Sequence, residues 1–180
     1  MSGGLGRLLA KRMPFHPLFV HFPIAILLAA HAVDLISAAR PGHGAIRDSA
    51  TWLYCLGATM AMAAYFSGLE AASDLRVSAD AANALTRHFT WADRTTWYFV
   101  YFASIRLAMS YIWQSRTRRM MITSVLLALA GLCLLATAAD HGGRLVFRHG
   151  LGVSSVPSGE SIWRPPGESR RLAEDNTRTQ

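Results

Sequence analysis

The stretch Met120–Ala139 reads MMITSVLLALAGLCLLATAA, a run of twenty residues that carries no charge. A helix rises about 1.5 Å per residue, so such a run is about 30 Å long, which is the thickness of a bilayer's hydrocarbon core. A strand reading fails, because a membrane strand needs only about ten residues of alternating character and no alternation is present. Arg116, Arg118 and Arg119 stand before the run, and Asp140 and His141 follow it. The segment is predicted to be a membrane-crossing helix.

Three more runs lie N-terminal to it. They are about Pro17–Ala39 (PLFVHFPIAILLAAHAVDLISAA), Thr51–Ala72 (TWLYCLGATMAMAAYFSGLEAA) and Thr95–Trp113 (TTWYFVYFASIRLAMSYIW). Each has the length of a crossing. Arg40-Pro41-Gly42-His43-Gly44 reads as a helix stop, and Ser115–Arg119 as a short basic turn. Trp52, Tyr54, Tyr111 and Trp113 are expected to mark one membrane interface, and Trp91, Trp97 and Tyr98 the other. The first run is longer than the apolar part of a cleaved leader and keeps His31 and Asp34 within it, so it is read as a span. The expectation is an all-α integral membrane four-helix bundle over residues 14–153, with both termini on one side. Residues 1–13 form a basic arm. Residues 154–180, polar and rich in Pro and Gly, are expected to be a disordered tail.

Composition agrees. Charged residues make up 16% of the 180-residue chain, against about 25% in soluble domains, and the mean hydropathy is +0.23. The net charge is +7, and Lys11 is the only Lys. The Arg residues fall in linkers and tails between apolar runs, so lipid headgroups are the expected counter-charge and nucleic acid is not expected. Arg residues flank the runs on both sides; the positive-inside rule leans to the side of the two termini as cytoplasmic, and the basic arm before the first run agrees, without fixing the orientation. Cys55 and Cys133 both lie inside apolar runs, and the absence of a C-x-x-C-H segment excludes covalent c-type haem attachment. No P-loop, H-E-x-x-H or Ser-His-Asp arrangement is present.

Four crossings sort the seven histidines. Call the side of the termini X and the opposite side Y. His16, His21, His88, His141 and His149 then fall at the X end, His43 in a Y loop, and His31 deep in the first helix. Polar side chains at membrane depth usually face the bundle interior, and imidazole is a ligand for haem iron, copper or zinc. If helices pack in order, the first and third are diagonal, so His21 and His88 are candidate axial ligands of one haem. The competing expectation is that these groups cap helix ends and bond one another. Arg106, inside the third run, is expected to snorkel to the Y headgroups, and His31 and Asp34 to pair on one helix face. Gly57-xxx-Ala61 and Ala64-xxx-Gly68 are spacings that allow close helix packing. Gly142-Gly143 is expected to end the fourth helix. Glu70 and Asp74 read as a solvated edge facing Arg144 or Arg148.

His16-Pro17-Leu18-Phe19-Val20-His21-Phe22-Pro23-Ile24-Ala25 resembles the opening motif of the bacterial membrane family called domain of unknown function 2231, and Gly142–Val153 (GGRLVFRHGLGV) resembles its closing motif. Ser67-Gly68-Leu69 and Arg87-His88 lie between them at matching spacing, and the resemblance covers residues 14–153. Members are four-helix membrane proteins, some joined to cytochrome c or Rieske domains. That company implies a bacterial inner-membrane location, redox partners within a membrane complex, and haem b. The expected site is His21 and His88 as iron ligands, His16, His141 and His149 around them, and Arg144 and Arg148 on the propionates. The first function expected is an electron-transfer subunit without catalysis of its own. The alternative is a haem-free structural or assembly subunit, and a copper- or zinc-binding protein stands third.

Overall fold

The computed structural model describes residues 16–40, 42–73, 77–112 and 117–151. The arm 1–13 and the tail 154–180 lie outside these, as do Asp74 and Trp113. Among the described residues four helices follow one another: α1 (His16–Ala39), α2 (Gly44–Ser73), α3 (Ala79–Ile112) and α4 (Arg118–His149). Each packs on the next and α4 returns to α1, while α1–α3 and α2–α4 are the diagonals. Tyr98 meets Leu127 and His88 meets Ala138, so α3 and α4 run antiparallel.

Small residues set the packing. Ala30, Ala50, Ala58, Ala61 and Ala64 are buried, and Gly57 lies so close to α1 that an added Cβ would stand 2.6 Å from Leu27 Cδ2. Backbones approach closely where side chains are absent, and dispersion between them replaces the hydrophobic drive that a bilayer does not supply. Gly57-xxx-Ala61 lies on this seam, whereas Ala64-xxx-Gly68 lines a gap between the helices. On the other side, a Cβ at Gly131 would meet Tyr98 Cε1 at 2.7 Å and Phe99 Cζ at 2.8 Å. Leu27, Tyr54 and Phe99 are the largest fully buried side chains, and they form a central layer with Phe102, Ala103 and Ala128. Tyr54 stands edge-on to Phe102 at 5.0 Å.

α1, α2 and α4 are long and apolar enough to cross a membrane. α3 is long enough but more polar, since it carries Thr95, Tyr98, Arg106 and Ser110 within its apolar part. Those groups are bonded internally. Thr95 donates to the Trp91 carbonyl at 2.7 Å, Tyr98 to the Leu127 carbonyl at 2.6 Å, and Ser110 to the Leu107 carbonyl at 2.8 Å. Backbone carbonyls inside a bundle thus take the polar load.

The helices outrun the apolar runs. Residues 79–94, ahead of the third apolar run, are already helical. Ser78 starts this helix, its hydroxyl accepting from the Ala81 N–H, and Asp80 lies in the first turn, where the helix dipole favours an acid. α4 runs through Gly142-Gly143, the expected stop, and ends at Gly150, which sits at φ +63°. Its N–H reaches the Val146 carbonyl, and the Leu151 N–H reaches Leu145. Two interface assignments also change. Tyr54 is fully buried in the core, and Tyr98 turns inward to α4. Trp52 and Tyr111 are exposed at the Y end as expected.

Candidate functional site

The X half of the bundle holds two of the five histidines on α4's inner side. His88 Nδ1 lies 3.1 Å from the Ala138 carbonyl, and His141 Nδ1 lies 2.9 Å from the Thr137 carbonyl. A carbonyl only accepts, so each Nδ1 carries a proton and donates it to α4's backbone. Gly142 makes room for this: a Cβ there would stand 3.0 Å from His88 Cε1. The glycine read as a helix stop is a seat for an imidazole inside a helix. His141 also lies 6.2 Å from the Trp91 ring, and His149 Nδ1 stands 3.8 Å from Asp80.

These rings do not share one centre. Ala138 and His149 are eleven residues apart on α4, about 16 Å along the axis. His21 falls on a stripe with Ala25, Leu28, Ala32 and Leu35, all exposed, while Val20, Pro23 and Ile24 face inward. His16 opens α1. Arg144 pairs with Asp140 on its own helix at 2.7 Å, Glu70 and Arg148 are exposed, and His43 sits in the Y connector. Among the described residues no group of three or more His, Cys, Asp or Glu is arranged to hold a metal.

A cavity of about 100 Å³ opens between the four helices beside His88. Sites for drug-sized ligands span roughly 300–1,000 Å³, and a haem is larger still. A macrocycle between His21 and His88 therefore does not fit this packing. The inner stripe of α1 is apolar, and His21 lies a third of a turn away from it, so the helix would have to roll about its axis to present that ring.

The Y half holds a centre of a different kind. Arg106 of α3 is 3% exposed, and its guanidinium grips Asp34 of α1 through Nη1–Oδ2 at 2.7 Å and Nη2–Oδ1 at 2.9 Å. Nη1 also donates to Ser124 of α4, and Nη2 to Thr51 of α2 at 3.4 Å. The cation lies 4.9 Å from the Tyr54 ring centroid and 5.7 Å from that of Phe102. One side chain thus ties all four helices. The expected snorkelling is overturned because Asp34 lies at the same depth: five residues from the end of α1, against six for Arg106 in α3. Asp34 faces Arg106, while the buried His31 Nδ1 has no hydrogen-bond partner, and neither has the Tyr54 hydroxyl. A polar cleft of about 450 Å³, with Arg47, Asp48, Trp52 and Tyr111 on its walls, reaches down to Thr51. Reading the sequence run by run missed this centre. The signal was two opposite charges at matching depth in two apolar runs.

The fold and these two centres define a helical membrane protein: a four-helix bundle with a buried cross-bundle ion pair. The chain belongs to the family described as a predicted membrane protein, domain of unknown function 2231, whose model matches residues 12–155. No curated protein and no solved structure matches the chain.

Proposed function

We propose that this chain is a haem-free structural or assembly subunit of a larger membrane complex, with all four helices crossing the bilayer and both termini on side X. The carrying observation is Phe147. It lies eight residues beyond the apolar run of α4 and is 90% exposed, between Arg144 and Arg148. That places it about 12 Å past the end of the run. An aromatic outside the hydrocarbon core, rimmed by arginines, has the make-up of an interface anchor. The interior supports the reading, because the buried Arg106–Asp34 pair is committed to holding helices together. α3 crosses on this reading because its charge is matched within the bundle.

Two measurements test it. A photo-crosslinking residue placed at 147 in native membranes should trap a protein partner, and one placed at 126, on α4's exposed apolar face, should trap much less. A reduced-minus-oxidised spectrum of protein purified from haem-replete cells should carry no haem band. The opposing reading, a b-type haem on His88, has in its favour the tautomer fixed by Ala138, since iron-ligating histidines commonly donate their other N–H to a carbonyl. A haem band abolished by His88→Ala would install that reading in place of ours.

A further inference from the structure

We propose that the cavity beside His88 is a binding site for one hydroxyl-bearing aromatic ring, the head of a phenol-type compound dissolved in the membrane. Protein interiors close-pack and leave few voids larger than a water molecule. Here the void persists because its walls are small: Ala61, Ala64 and Gly68 from α2, Ala92 from α3, Ala138 from α4. The helices cannot close over it. Leu27 against Gly57 and Phe99 against Gly131 already set their spacing in the layer beneath.

Size and lining select the ligand. A dry apolar cavity of about 150 Å³ is known to take benzene, so about 100 Å³, open on one side, suits a single ring and no more. Its flanks are flat: Tyr65 stands edge-on to Phe89 at 6.5 Å, and His88 is tilted against Phe89 at 5.9 Å. Aromatic rings pack well edge-to-face against such neighbours. α1 adds a polar handle. Pro23 lines the cavity and has no N–H to give the Phe19 carbonyl, which helix geometry points along the axis toward Pro23. A ring hydroxyl can supply that hydrogen.

The test uses the full chain in lipid nanodiscs and 4-fluorophenol as the probe, read by fluorine NMR. Wild type should show a saturable shift beyond that of empty nanodiscs. 4-Fluorotoluene, which lacks the donor, should bind about tenfold more weakly, the effect of one hydrogen bond. Ala64→Leu fills the void from α2 and should abolish the saturable signal while the protein keeps its wild-type melting temperature or exceeds it. Should that variant fail to fold, Ala92→Leu fills it from α3. A wild-type signal no different from empty nanodiscs, a lipid acyl chain that neither probe displaces, or a signal unchanged in a folded filling variant would overturn the proposal. Equal affinity for the two probes would overturn the assignment of the hydroxyl.

Discussion

At the residue scale, Arg106 and Asp34 behave as one object. Each charge is tolerable only because the other is 2.7–2.9 Å away. Removing one partner leaves the other buried alone, and such breaks cost about 3–5 kcal/mol. Asp34→Ala is therefore expected to lose about that much in an SDS-unfolding titration followed by tryptophan fluorescence. The apolar double variant Asp34→Leu with Arg106→Met should recover most of the loss, because buried pairs often contribute little net stability over a hydrophobic replacement. Tyr54 gives the sharper contrast. Its ring fills the core but its hydroxyl has no protein partner. Tyr54→Phe should be neutral or slightly stabilising, and Tyr54→Ala should cost about 3–5 kcal/mol. A Phe variant as damaged as the Ala variant would mean that an internal water holds the hydroxyl.

At the scale of the elements, glycines that look alike in sequence do different work. Gly57 and Gly131 have neighbours inside 3.0 Å of an added Cβ, and these neighbours belong to the packed central layer. Gly57→Ala and Gly131→Ala should each destabilise by about 1–3 kcal/mol, the usual effect of overpacking. Gly143 has nothing within 4 Å and sits inside a helix, so Gly143→Ala should stabilise by about 0.5–1 kcal/mol. Thermal melts of the three variants would order them, and the reverse order would show that α4 does not run through Gly143. This pattern explains what was legible beforehand. The apolar runs gave the four helices and the α1–α2 seam, because hydrophobicity and small-residue spacing are local signals. They could not give the true ends of α3 and α4. Those ends depend on the Ser78 start, the Gly150 stop and the seat that Gly142 provides for His88, and the last of these is a tertiary contact.

At the scale of the whole molecule, the bundle's two halves carry different chemistry. Side Y has the ion pair under a polar cleft, and side X has the apolar cavity and two histidines tied to α4 carbonyls. Reporter fusions after residues 43, 80, 117 and 160 should alternate between the two sides of the membrane, beginning with 43 opposite to 80. Matching signals at 80 and 117 would remove α3 as a crossing. Sorting the histidines by side was within reach of the sequence, but whether they share a centre was not. Helix rotation decides that, and it places His21 outward while His88 turns in. The ion pair was legible in principle, since its two charges lie at matching depth. It was missed because each charge was read on its own helix.

That pairing also bears on how the protein is made. A ribosome delivers α1 first and α3 only after α2 has emerged, so the guanidinium of Arg106 arrives with its carboxylate already waiting. Asp34 in turn has no Arg106 to pair with while some seventy residues are translated. During that interval the nascent chain carries a lone acid in an apolar segment. Charge at that depth is costly until it is paired. The Arg106–Asp34 bond can close only once the first three helices are in place, and the contact to Ser124 only once the fourth has joined them.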